Sequence, residues 1–139
     1  MIQGTVFVVE DDEEFAQLLK MRLESIGCRV STTSKGDEAV GLIQTRLPDL
    51  VILDVFLPDT DGLTILKRLK SPIDIATGKP SLTKDIPVVV LTGKAPMIEN
   101  MTRIEGASDF FVKPVDIEKL IKCIRQLLEL TQHEKERKP

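Results

Sequence analysis

The chain of 139 residues has no tryptophan, no tyrosine and only two cysteines. Nor does it have an apolar run approaching the roughly 20 residues that a membrane span needs. Each shortage removes a class of function. The amino terminus, Met1-Ile2-Gln3-Gly4-Thr5, lacks the basic and long apolar regions of a secretion signal, so the expected location is cytoplasmic, away from any membrane. Cys28 and Cys123 are far apart and belong to no CxxC or Cys/His cluster. Neither a zinc site nor a disulfide framework is expected, and buried, inert thiols are. With a net charge of −3 and only five phenylalanines for stacking on bases, the domain is not expected to bind nucleic acid. There is no internal repeat and no low-complexity block.

What the chain does have is a set of short apolar runs that each end in a polar group. Thr5–Val9 leads into Glu10-Asp11-Asp12, and Leu50–Leu53 is closed by Asp54. Val88–Leu91 ends in Thr92, and Phe110–Val112 ends in Lys113-Pro114. Between them apolar residues recur at helical spacing: Phe15, Leu18, Leu19, Leu23 and Ile26 before the stop at Gly27; Ala39, Val40, Leu42, Ile43 and Leu47 after a cap at Ser34; Leu63, Leu66 and Leu69; a weaker set at Met97, Met101 and Ile104; and Ile117, Leu120, Ile121, Ile124, Leu127 and Leu128 after a cap at Asp116. Together with a strand at Cys28–Thr33, this makes five β/α pairs in alternation. Such alternation predicts a three-layer, doubly wound α/β domain around a five-stranded parallel sheet. Residues 71–85 carry Pro72, Gly78 and Pro80 without a period and are expected to be a surface insertion. Residues 1–130 form the expected domain, and 131–139 a polar tail that extends the last helix, frays, or begins a linker.

In an open parallel sheet the carboxyl ends of the strands lie together, where such folds bind ligands. Alone, Asp11 and Asp12 would do no more than cap a helix. With Asp54 at a second strand end, three carboxylates converge and repel one another, and a hard cation such as Mg²⁺ relieves the repulsion. Lys113 is placed to neutralise part of the cluster, and the Thr92 hydroxyl to donate to a new oxyanion. Gly93 leaves space beside the pocket, and Pro58 and Gly62 shape the loop after Asp54. The set suits acceptance of a phosphoryl group by a carboxylate nucleophile.

These motifs, in order, resemble the receiver domain of two-component response regulators, of the chemotaxis-regulator type. The likeness covers residues 4–130 and rests on Val8-Val9-Glu10-Asp11-Asp12, Leu53-Asp54 with Pro58 and Gly62, Thr92-Gly93, and Gly106 through Pro114. It implies a flavodoxin-like strand order 2-1-3-4-5 and a phosphoacceptor function. By position, Asp54 would be the acceptor. Asp11, Asp12, Asp54 and the backbone carbonyl of Phe56 would hold Mg²⁺. Thr92 and Phe110 would be the switch pair, Lys113 would contact the phosphoryl group, and Lys113–Pro114 would be a cis peptide. The implied partners are a sensor histidine kinase or phosphotransfer protein and an output domain or effector. The implied state is a monomer or a phosphorylation-linked homodimer. The implied chemistry is confined to the chain's own phosphorylation and dephosphorylation, so it is not an enzyme acting on other substrates.

Phe110 stands where tyrosine is common, Gly93 where alanine is frequent, and the 71–85 insertion is longer than usual. An aspartyl phosphatase would want an acid two past the nucleophile, where Phe56 stands. A flavin-binding domain would want a hydroxyl- and glycine-rich loop after the first strand, and three acids would repel its phosphate. The remaining alternative is a pseudo-receiver that binds partners without phosphorylation.

Overall fold

In a computed structural model of the chain, the described residues are 3–55, 57, 61–93 and 105–137. Five parallel strands are joined in the order β2-β1-β3-β4-β5. They are β1 (Gly4–Val9), β2 (Cys28–Thr33), β3 (Leu50–Asp54), β4 (Val88–Thr92) and β5 (Asp109–Val112). Four helices are described: α1 (Glu13–Ser25), α2 (Gly36–Arg46), α3 (Gly62–Lys70) and α4 (Ile117–Arg137). The helix expected around Met97, Met101 and Ile104 lies outside the described residues, as do Phe56 and Pro58.

The β-branched and leucine-rich runs of β1, β3 and β4 form the centre of the sheet because both of their faces are apolar. All five positions of β3 and of β4 are buried. Strand alternation divides them between two cores. Phe7, Val9, Val51, Leu53, Val88 and Val90 pack with α2 and α3, whereas Val6, Val8, Leu50, Ile52, Val89 and Leu91 pack with α1 and α4. The three layers expected from the alternation are therefore present, each core packed against two of the described helices.

The helix boundaries follow local chemistry. Asp12 caps α1 by accepting from the Phe15 amide at 3.2 Å, and Asp61 caps α3 by accepting from the Leu63 amide at 2.9 Å. Asp116 accepts from the Glu118 and Lys119 amides at the start of α4. The expected cap at Ser34 is replaced: Lys35 holds the cap position without a side-chain bond. The Thr33 hydroxyl, one residue earlier, accepts from the Lys35 amide and donates to Glu38. The polar residues after Leu128 continue α4 to Arg137; they contain no helix breaker, and Glu, Lys and Gln are good helix formers.

The 71–85 segment has built structure. Ile73 and Pro80 form an antiparallel bridge, the Thr83 hydroxyl is buried and donates to the Leu69 carbonyl, and the Lys70 ammonium donates to the carbonyls of Lys84 and Ile86. Cys28 is buried and Cys123 half-buried, and both are free thiols. Burial raises the pKa of each; for Cys123 a hydrogen bond to Asp109 adds to it and carries the value to about 12. No described helix is long and apolar enough to cross a membrane.

Candidate phosphoacceptor site

The register of the central strands assembles the site. Val9 of β1 is level with Leu53 of β3, so the next residue of each strand, Glu10 and Asp54, emerge side by side. On the other side of β3, Asp54 is level with Leu91, and Thr92 is level with Val112, so Lys113 leaves β5 at the same edge. The Lys113 amide donates to the Thr92 carbonyl at 2.7 Å, tying the two strand ends together.

Lys113 reaches back over the strand ends. Its Nζ lies 2.7 Å from Glu10 Oε1 and 3.1 Å from Asp54 Oδ2, and it sits 5.8 Å from the centroid of the Phe15 ring. Glu10 and Asp54 are 1% and 2% exposed, so their charges are desolvated. Burial pushes the Glu10 carboxyl up to about 7; the charge of Asp54 adds to the rise and Lys113 opposes it. For Lys113, burial works against the ammonium. Its hydrogen bonds to Glu10 and Asp54 outweigh that loss, and its pKa is raised.

Carboxylate oxygens of Glu10, Asp11 and Asp54 lie within 4.8 Å of one another. Asp12 is not in this group, because its carboxylate is committed to the α1 cap. The sequence reading expected Asp11, Asp12 and Asp54 together; among the described residues Glu10 stands with Asp11 and Asp54, and Asp12 stands outside the group. The signal that separates them is strand register, since Glu10 is the first residue past β1 and Asp54 ends β3. Phe56, the expected carbonyl ligand, lies outside the described residues.

The donor set suits a hard divalent cation. It offers only oxygen ligands, and among the described residues the ammonium of Lys113 pairs with two of the three carboxylates. The second carboxylate oxygen of Glu10 is buried without a hydrogen-bond partner. An acid left in that state is costly unless a cation or water completes it.

Thr92 and Phe110 are on the other side of the sheet. Alternation places Thr92 with Val88 and Val90 on the α2/α3 side, and half-buried Phe110 packs against that same core. Asp54 has the parity of Leu50 and Ile52, on the α1/α4 side. Gly62, at the start of α3, packs directly behind Asp54. A Cβ there would lie 2.3 Å from Val55 Cα and 2.8 Å from the Asp54 carbonyl oxygen. The Lys113–Pro114 peptide bond is cis.

The model of the response regulator receiver domain matches residues 6–125. The chain belongs to this family. Among curated proteins, a phosphate regulon transcriptional regulatory protein, PhoB, of Rhizobium meliloti is 36% identical over 124 residues, covering 88% of this chain and 51% of that protein. A probable transcriptional regulator, ycf27, of Cyanophora paradoxa is 33% identical, covering 92% of this chain and 49% of that protein. The chain spans about half the length of these relatives. Among solved structures, the receiver domain of the Francisella response regulator 1452 superposes with a TM-score of 0.79 at 27% identity, covering 92% of this chain and 98% of that one. A putative response regulator from Chloroflexus aurantiacus gives 0.79 at 30% identity, with 91% and 98% covered. The receiver fold and its acidic cluster are thus both present, and the pseudo-receiver alternative is not favoured. Receiver domains bind Mg²⁺ at such a cluster.

Proposed function

We propose that Asp54 is the phosphoacceptor and that Glu10, Asp11 and Asp54 hold Mg²⁺ during transfer. The observation that carries this reading is the meeting of Lys113 with both buried acids, beside Asp11, at the carboxyl edge of the sheet. A carboxylate oxygen of Asp54 attacks the phosphorus of a phosphohistidine on a sensor histidine kinase or phosphotransfer protein. The P–N bond breaks, its electron pair stays on the imidazole nitrogen, and a proton completes the neutral histidine. When bound, Mg²⁺ offsets negative charge on the carboxylates and on the phosphoryl oxygens. Lys113 supplies the remaining positive charge, and Phe15 supports its ammonium from below through the ring face. The reaction is confined to the chain's own aspartate.

The donor's approach is best accommodated beside α1. Phe15, Leu18, Lys113, Pro114 and Ile117 line an open, largely apolar groove next to the acids, and Leu18 and Met21 are exposed on the same helix. After transfer, the Thr92 hydroxyl turns over the carboxyl end of β4 to donate to a phosphoryl oxygen, and Phe110, on the side of the sheet that Thr92 leaves, moves into the space. The phosphoryl group shifts the population only as far as its contacts favour one state. The shifted surface then addresses an output domain or effector, consistent with the transcriptional regulators among the relatives.

The test is Asp54→Asn, incubated with a small-molecule phosphodonor and Mg²⁺ and followed by intact mass. Loss of the phosphoryl adduct is expected. Uptake equal to the parent's would place the acceptor elsewhere.

A further inference from the structure

The opposite end of the sheet carries a second surface. The connection before β3, the connection before β4 and the far part of α4 enclose a groove of about 290 Å³. It lies at the amino ends of the strands, so the length of β3 separates it from Asp54. Leu47, Leu82 and Ile86 supply its aliphatic lining, and Asp49, Asp85 and Glu134 its charge; the rest, two prolines and a threonine, is neutral. All charge on the lining among the described residues is therefore negative. Lys70 feels Asp85 but turns its ammonium onto the carbonyls of Lys84 and Ile86.

Two features show that the aliphatic groups are displayed at a cost. Leu82 is 74% exposed, although the residue after it, Thr83, is buried and pinned to α3. The segment is thus held with leucine outward instead of collapsing onto it. Leu47 ends α2 at a φ of +46°, a left-handed conformation that glycine adopts without penalty and leucine does not. Ile73 and Ile75, on the same insertion, are also largely exposed.

We propose that this groove docks a segment of a partner protein that carries aliphatic side chains flanked by lysine or arginine. The aliphatic residues would cover Leu47 and Leu82, and the cations would meet Asp85 and Glu134. Distance from Asp54 makes this docking compatible with phosphorylation, so the inference stands apart from the phosphoacceptor reading.

The experiment is selection of a random 12-residue peptide library, displayed on phage, against the full chain, with counter-selection on Leu82→Glu. Expected are groove-dependent binders rich in Leu or Ile and in Lys or Arg. A synthetic copy should bind at least about tenfold more weakly to Leu82→Glu and to Asp85→Lys/Glu134→Lys, one such loss corresponding to ~1.4 kcal/mol. Circular dichroism on both variants checks that the fold is kept. Acidic or uncharged consensus sequences, or no Leu82-dependent binders, would overturn the proposal. So would concentration-dependent self-association abolished by Leu82→Glu, which would assign the groove to a second copy of the chain.

Discussion

The two ends of the sheet treat polar groups in opposite ways. At the amino ends of the strands, polar groups are satisfied internally. Asp49 accepts from both the amide and the hydroxyl of Thr5, Thr83 closes onto Leu69, and Lys70 caps two carbonyls. At the carboxyl ends, two acids are buried together, one ammonium serves both, and a Glu10 oxygen is left without a hydrogen bond. At the first end the chain itself pairs these polar groups. The second leaves a buried acid oxygen without a hydrogen-bond partner among the described residues. A fold can carry such a deficit because its stability is drawn from the two cores, which lie elsewhere.

The largest expected effect sharpens this contrast at the packing behind Asp54. In Gly62→Ala the new Cβ meets backbone on three sides, and none of it is the end of a flexible side chain. Overpacking of this kind costs about 3 kcal/mol, to be read as a lower urea midpoint together with slower phosphorylation of Asp54. Unchanged stability would mean that the start of α3 is not held against β3.

The next prediction concerns the deficit itself. The Glu10 carboxyl rises from 4.5 to about 7 in the folded protein. An acid whose folded pKa is raised binds more protons when folded than when unfolded, so its contribution falls as pH rises through this window. Without divalent cation, urea stability should decline from pH 5 to pH 8 by on the order of 3 kcal/mol from this group. Glu10→Gln should flatten that slope and weaken Mg²⁺ binding, followed by fluorescence-free calorimetric titration since the chain has no tryptophan. A slope preserved in Glu10→Gln would assign the deficit to another group.

The smallest effect separates Glu10 from its near neighbour. Asp12→Ala removes the α1 cap and should cost about 1 kcal/mol, while leaving Mg²⁺ affinity within about twofold, because its carboxylate lies outside the acidic cluster of Glu10, Asp11 and Asp54. Loss of metal binding in Asp12→Ala would return Asp12 to the site.

The same pair shows where sequence reading succeeds and where it stops. The runs that became β1, β3 and β4 are legible because buried parallel strands are apolar on both faces, and the polar residue ending each run marks the site edge. Three consecutive acids after β1 are not separable by composition. Only the level of Val9 with Leu53 decides that Glu10 enters the pocket, and only the position of Phe15 three residues on gives Asp12 to the helix. The 71–85 segment shows no period because its order comes from side-chain bonds to backbone at Ser71, Asp74, Ser81 and Thr83. Such bonds fix a chain without repeating along it.

The length of α4 has a mechanical consequence. Its 21 residues make a rod of about 32 Å, and its last buried apolar anchor is Leu128. Beyond that anchor the helix runs on for about 13 Å, and Thr131 and Glu134 lie along the groove at the amino ends of the strands. A tilt of about five degrees about Leu128 therefore carries the far tip roughly 1 Å across that groove, with no bond in the rod itself having to break.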